Sequence, residues 1–161
     1  MISLEELMRR CLELAASATD SGNYALGALV AVDGRIAAES ASSLIGDDND
    51  PSAHPEMVVI RETARMKGTR YLPGALLVTT LEPCPMCTSV AIWAKMAGIA
   101  FGATQQDAKS WSAEHPSDVY TWRQIAIPAR AVVLAGEPAL ELHEGVLRDE
   151  CRSLFSLTSH R

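Results

Sequence analysis

Residues 75–87 read Ala75-Leu76-Leu77-Val78-Thr79-Thr80-Leu81-Glu82-Pro83-Cys84-Pro85-Met86-Cys87. The first six form a nearly continuous apolar stretch behind the turn residues Pro73-Gly74. That is the pattern of a strand buried on both faces of a central sheet. Pro83 then leads into a helix expected from about Cys84 to Ala97, with Gly98 as its stop. A second helix is expected from near His54 to about Lys67, closed by Gly68, and Pro55 suits its first turn because the missing N–H has no partner there anyway. His54 and Cys84 are 30 residues apart, and one helix plus one strand fill the gap. A right-handed β-α-β crossover returns the chain to the same edge of the sheet, so both helix starts converge at one end of it.

Working outward, Ser3-Leu4-Glu5-Glu6 is a capping box that opens an amphipathic helix carrying Leu4, Leu7, Met8, Cys11, Leu14, Ala15 and Ala18. Asp20-Ser21-Gly22-Asn23 ends it. The apolar run Tyr24 to Val32 meets Asp33-Gly34, a hairpin turn, and Arg35 to Glu39 returns as its partner. Residues 40–53 are Ser-, Asp- and Asn-rich and read as a loop. Further strands are expected at Ile99–Gly102 and Ala131–Ala135, a polar loop over 103–120, a short helix over Val119–Ile127, and a last helix from Leu142 or His143 to Phe155. The order αββαβαβ(α)βα argues for a single α/β layer domain over residues 1–161.

Composition narrows the function classes. With 161 residues, 48% hydrophobic and 21% charged, the chain is an ordinary globular domain rather than a disordered one. No apolar run approaches the length of a membrane span, and Met1-Ile2-Ser3-Leu4-Glu5-Glu6 lacks a basic leader, so a cytoplasmic location is expected. The net charge is −6, with 11 Arg and 3 Lys, which disfavours general binding to phosphate backbones. In a reducing compartment the close pair Cys84/Cys87 calls for a metal or redox explanation.

Cys84 and Cys87 lie i, i+3 on a first helical turn, so their sulfurs share a face, and His54 arrives from the neighbouring helix. One imidazole and two thiolates are three ligands of a zinc tetrahedron, and a catalytic site leaves the fourth position to water. A helix N-terminus lowers the pKa of a nearby thiol, which suits thiolate ligation. Glu56, two residues after His54, is placed to handle the protons of that water. Two other readings stand beside this one. A structural zinc site would need a fourth protein ligand from Cys11, Cys151, His115 or His143. A thioredoxin-like C-x-x-C pair would leave His54-Pro55-Glu56 without a role. Cys11 and Cys151 read as small buried hydrophobes, and the stripe of Ile92, Trp93 and Met96 as core or interface.

His54-Pro55-Glu56 with Pro83-Cys84-Pro85-Met86-Cys87 resembles the H-x-E…P-C-x-x-C pattern of the zinc-dependent deaminases. The chain is similar to the cytidine-deaminase-like superfamily, and within it to the purine-acting branch of guanine deaminases and tRNA adenosine deaminases. Asp50-Pro51-Ser52-Ala53-His54, Phe101-Gly102-Ala103 and residues 144–151 carry the likeness further, so that it spans roughly residues 24–155. The resemblance implies a three-layer α-β-α sandwich around a mixed five-stranded sheet. It implies one Zn2+ per chain held by His54, Cys84 and Cys87, with Glu56 as the proton shuttle. Water attacks an amidine-type ring carbon and ammonia leaves. Relatives are dimers or tetramers, so a homodimer is expected.

Two positions depart from that pattern. Pro55 stands where Ala is commoner. Ser43 stands 11 residues before His54, where purine-acting relatives usually carry the Asn that touches the base. The likeness also puts Leu26, Gly27 and Ala53 at the substrate, with Gly27 leaving room for the base. Stacking candidates are Tyr24, Trp93, Trp111, Tyr120 and Trp122, and Glu114 and Asp118 are candidate acceptors for a guanine-like edge. A small nucleobase or nucleoside-like substrate, guanine-type first, is favoured over tRNA because the chain is acidic and ends without a Lys-rich tail. Cytosine, triazine or pterin deamination and a zinc-stabilised binding domain are the remaining alternatives.

Overall fold

The computed structural model describes residues 1–43, 49–122 and 125–158. The capping box at Ser3 forms as expected: the Glu6 N–H donates to Ser3 Oγ, the Ser3 N–H donates back to Glu6 Oε2, and helix α1 runs Leu4–Ala18. The hairpin β1 (Gly27–Val32) and β2 (Arg35–Ala41) turns on Asp33 and Gly34, both at positive φ (52° and 71°), which matches the twist of the two strands. Helix α2 (Pro55–Lys67) starts on Pro55 and stops at Gly68, at φ 65°. Strand β3 spans Leu76–Leu81 and β4 spans Gly98–Ala103.

Five expectations need correction. Helix α3 is Pro85–Trp93, not the longer span to Ala97. It closes in a Schellman turn: the Met96 N–H reaches the Ala91 carbonyl at 3.1 Å and the Lys95 N–H the Ile92 carbonyl at 2.9 Å, with Lys95 at φ 55°. Gly98 is therefore a strand residue, and its bare Cα lets Glu141 of the next strand come close. The polar stretch after Ala103 is largely a helix, α4 (Gln105–Glu114), opened by a second capping box between Thr104 and Asp107. Ala131–Ala135, expected as a strand, lies within helix α5 (Ala129–Ala135). The fifth strand is β5 (Glu141–Glu144), within the segment expected to be the last helix. Gly145 and Leu147, both at positive φ, separate it from α6 (Arg148–Ser153), and α7 (Phe155–Thr158) follows. The short helix expected over 119–127 does not form in its described residues; Arg123 and Gln124 lie outside them, as do residues 44–48 of the expected loop.

The sheet order is β2-β1-β3-β4-β5, antiparallel at β2-β1-β3 and parallel at β3-β4-β5. It is the expected mixed five-stranded sheet, and alternate residues feed two cores. Ala28, Val30, Leu77, Ile99 and Phe101 face α2, α3 and α5, while Leu29, Ala31, Val78 and Ala100 face α1, α4, α6 and α7. That is a three-layer α/β fold. A Cβ on Gly27 would fall 2.3 Å from the Cys11 carbonyl oxygen, so the space its missing side chain leaves is taken by α1 rather than by a ligand.

Arg148 links α6 to α4: its guanidinium donates to both Asp107 carboxylate oxygens at 2.9 and 2.8 Å, and Arg152 Nε lies 3.6 Å from Asp107 Oδ1. Arg148 first, and the Thr104 contacts after it, hold the Asp107 carboxyl at about 2. An unfolded Asp titrates at about 3.9, so the stability gained is complete above about pH 4. It is lost as pH falls through the folded value of about 2. Asp107→Asn is expected to melt lower than the parent at pH 7, with the gap closing in acid. Thermal melts across pH check this, and a gap independent of pH contradicts it.

Candidate active site

The C-terminal end of β3 carries the centre. The chain leaves the sheet after Leu81, passes Glu82 and Pro83, and turns into α3 with Cys84 as N-cap and Cys87 on the first turn. His54 is the N-cap of α2. Both helices open on proline, at Pro55 and Pro85, so each presents its N-terminus to the same corner. The expected convergence is present: His54 Nδ1 lies 3.6 Å from Cys84 Sγ and 3.6 Å from Cys87 Sγ. Zn–S bonds of about 2.3 Å and Zn–N bonds of about 2.0–2.1 Å give a tetrahedral N···S edge of about 3.6 Å. The donor set and its spacing therefore fit zinc, and the three side chains form a potential metal site.

Among the described residues no fourth His, Cys, Asp or Glu joins that group. Cys11 and Cys151 lie in the α1-side core, where burial pushes their thiols up, Cys151 to about 12. His115 closes α4 and stacks on Trp111, and His143 sits in β5. The four-ligand structural reading thus lacks its fourth ligand here. The Cys87 thiol beside it, with His54 alongside, holds Cys84 down at about 4, while Cys87 rises in step.

Glu56 is the neighbour of this corner. It is 5% exposed, its Oε2 lies 3.8 Å from Cys87 Sγ, and its Oε1 accepts a 2.9 Å hydrogen bond from Thr79 Oγ1. Burial pushes its carboxyl above the ordinary value, against the opposing pull of His54. Thr79 and Glu82 are polar groups whose roles sequence reading missed. The one available clue is that both are polar residues in a stretch that otherwise reads as buried. Glu82 is 6% exposed, and its oxygens accept the N–H of Gln105 at 2.9 Å and of Ala129 at 2.7 Å, the first residues of α4 and α5.

The other expected substrate residues spread out. Leu26, Gly27 and Ser42 lie at the same end of the sheet as the metal corner: the Gly27 N–H donates to Thr80 Oγ1 at 3.3 Å, and the Ser42 N–H donates to the Leu26 carbonyl at 2.9 Å. Ser43 is half-buried one residue on. Ser42 is buried, and its hydroxyl has no hydrogen-bond partner among the described residues. Ala53 is buried directly before His54. Trp111 already carries His115 on its face at 3.5 Å, and Tyr24, Tyr120 and Trp122 pack edge-on in a cluster. Trp93 is 79% exposed at the far end of α3. Glu114 and Asp118 are exposed.

Residues 1–103 match the family model described as the cytidine and deoxycytidylate deaminase zinc-binding region. The chain is 31% identical over 126 residues to the guanine deaminase of Bacillus subtilis, covering 78% of each protein. It is 36% identical over 99 residues to a tRNA-specific adenosine deaminase of the same organism, covering 62% of this chain and 61% of that one. A guanine deaminase structure from Nitrosomonas europaea superposes over the full chain and 87% of its own, with a TM-score of 0.81 at 19% identity, a likeness of fold. No helix among the described residues is long and apolar enough to cross a membrane.

Proposed function

The chain belongs to the cytidine and deoxycytidylate deaminase zinc-binding family, and from that premise we propose that it removes the exocyclic amine of a nucleobase-like ring, a guanine-type base in the first instance. In this reading His54, Cys84 and Cys87 hold zinc and Glu56 moves the protons. The observation that carries it is the buried Glu56 carboxyl standing 3.8 Å from Cys87, beside the three-donor corner and outside the ligand group. Zinc, when bound, supplies the Lewis acidity that makes water nucleophilic near neutral pH.

Glu56 takes a proton from the attacking water and returns it to the departing amine. A C–O bond forms at the ring carbon, the exocyclic C–N bond breaks, ammonia leaves, and the second proton of the water ends on the adjoining ring nitrogen, with no change in oxidation level. With Oε1 held by Thr79 and Oε2 on the side of the corner, the carboxyl is placed to hold that proton between the two transfers. Leu26, Gly27 and Ala53 border the ring, with the Gly27 backbone rather than a gap left by its side chain as the contact. Ser43 serves the ring edge where relatives carry Asn. Trp111, stacked on His115, and the exposed carboxylates of Glu114 and Asp118 complete the expected set.

The preference for a free base over tRNA rests on the net charge of −6. A homodimer belongs to the same reading. Helix α3 carries no charged residue, and Trp93 on it and Leu134 on the adjoining α5 are each 79% exposed, an apolar surface suited to a second copy.

Zinc-loaded protein is expected to release ammonia from at least one member of a panel of guanine, adenine, cytosine, their nucleosides, and triazine and pterin bases. Turnover of guanine above the others supports the substrate assignment. Inosine formation in a tRNA stem-loop with silence on every free base replaces it with the tRNA reading.

A further inference from the structure

The two oxygens of Glu56 stand in different surroundings, and the reaction needs only one of them to be free. Oε1 is held from the sheet side: Thr79, fully buried on β3, donates its hydroxyl to it at 2.9 Å. The same hydroxyl has a second acceptor in reach, the Leu81 carbonyl at 3.3 Å, and the shorter contact goes to the carboxylate. Oε2 faces the other way, 3.8 Å from Cys87 Sγ and so on the side of the metal corner. Thr79 lies on the central strand, opposite Ala28 on β1 and Phe101 on β4, and has no freedom to follow a swinging side chain.

We propose that Thr79 is the positioning residue for the proton shuttle: by occupying Oε1 it fixes the plane of the Glu56 carboxyl and leaves Oε2 as the atom that receives and returns the proton. This rests on the deaminase reading above. A side chain with three rotatable bonds gains precision when one end is tied to a rigid strand, and a displacement of about 1 Å at a reacting group costs up to about a hundredfold in rate. Thr79→Val keeps the branched shape and removes the hydroxyl, and Thr79→Ser keeps the hydroxyl and removes the methyl.

The test uses the zinc-loaded full chain and the base it turns over fastest. Thr79→Val is expected to lower kcat by about 10–100-fold, with KM within about twofold of the parent and zinc retained at one per chain. Thr79→Ser is expected to restore most of the lost kcat. Crystal structures of the zinc-loaded parent and valine variant supply a readout apart from activity, with the Glu56 carboxyl expected to leave its single orientation in the variant. A Thr79→Val protein with parental kcat, with Glu56 unmoved, or with loss that serine does not rescue overturns the proposal. A parent that deaminates nothing, or that keeps its activity as Glu56→Gln, overturns the deaminase reading instead; the crystallographic comparison still decides what Thr79 does.

Discussion

Glu56→Gln is expected to lower ammonia release by about 10²–10⁴-fold, the range for removing a positioned acid–base group, while zinc stays bound at one per chain. The amide has the same shape as the carboxyl and can keep the Thr79 hydrogen bond through its oxygen, so the local packing around this buried side chain survives. It cannot accept and return a proton. The potential ligand group consists of His54, Cys84 and Cys87 without Glu56, so metal content and activity should separate. Parallel measurement of zinc by elemental analysis and of ammonia by a coupled assay checks both halves. If the glutamine variant loses its zinc, Glu56 is a ligand and the assignment of roles is wrong. If it works at the parental rate, another group moves the protons.

The corner that gathers His54, Cys84 and Cys87 was legible in the sequence because local rules place it. Proline at the first turn and a cap residue ahead of it fix where α2 and α3 begin, and His54, Cys84 and Cys87 sit at or within one turn of those starts. The hairpin at Asp33-Gly34 and the stop at Gly68 are equally local, since each requires a left-handed backbone. What failed was decided at a distance. The expected strand Ala131–Ala135 has a Val pair but lies in the helix Ala129–Ala135, whose first N–H is taken by Glu82, 47 residues away. The strand Glu141–Glu144 has no apolar alternation, and its place at the sheet edge depends on Gly98 in β4 allowing close approach. Helix α4 buries only Ala108 fully, too little for a periodic stripe, although Thr104 and Asp107 spell its capping box. The residues expected at the substrate were not brought together by any local rule, because they come from several elements with no fixed spacing along the chain.

Glu82→Ala is expected to be the most damaging substitution outside the metal corner, costing roughly 3–5 kcal/mol of unfolding free energy as two charge-assisted hydrogen bonds of about 1.5–3 kcal/mol each are lost with partial relaxation. The carboxylate ends two helices at once: Oε1 takes the N–H of Gln105 and Oε2 that of Ala129. Removing it leaves both N–H groups without this acceptor, next to a helix end that favours negative charge. The Glu82 N–H is itself fixed to the Ala103 carbonyl at 2.8 Å, so the side chain enters from a rigid point. Two residues later the chain reaches Cys84, and loosening here should also weaken zinc retention during chelator challenge. Glu82→Gln should fall between parent and alanine, since its oxygen can serve one N–H while its amide turns a donor toward the other. Urea unfolding at constant m-value measures the cost. An alanine variant within about 1 kcal/mol of the parent, the net worth of a single ordinary hydrogen bond, would mean that α4 and α5 are held by apolar packing alone and that the metal loop does not depend on them.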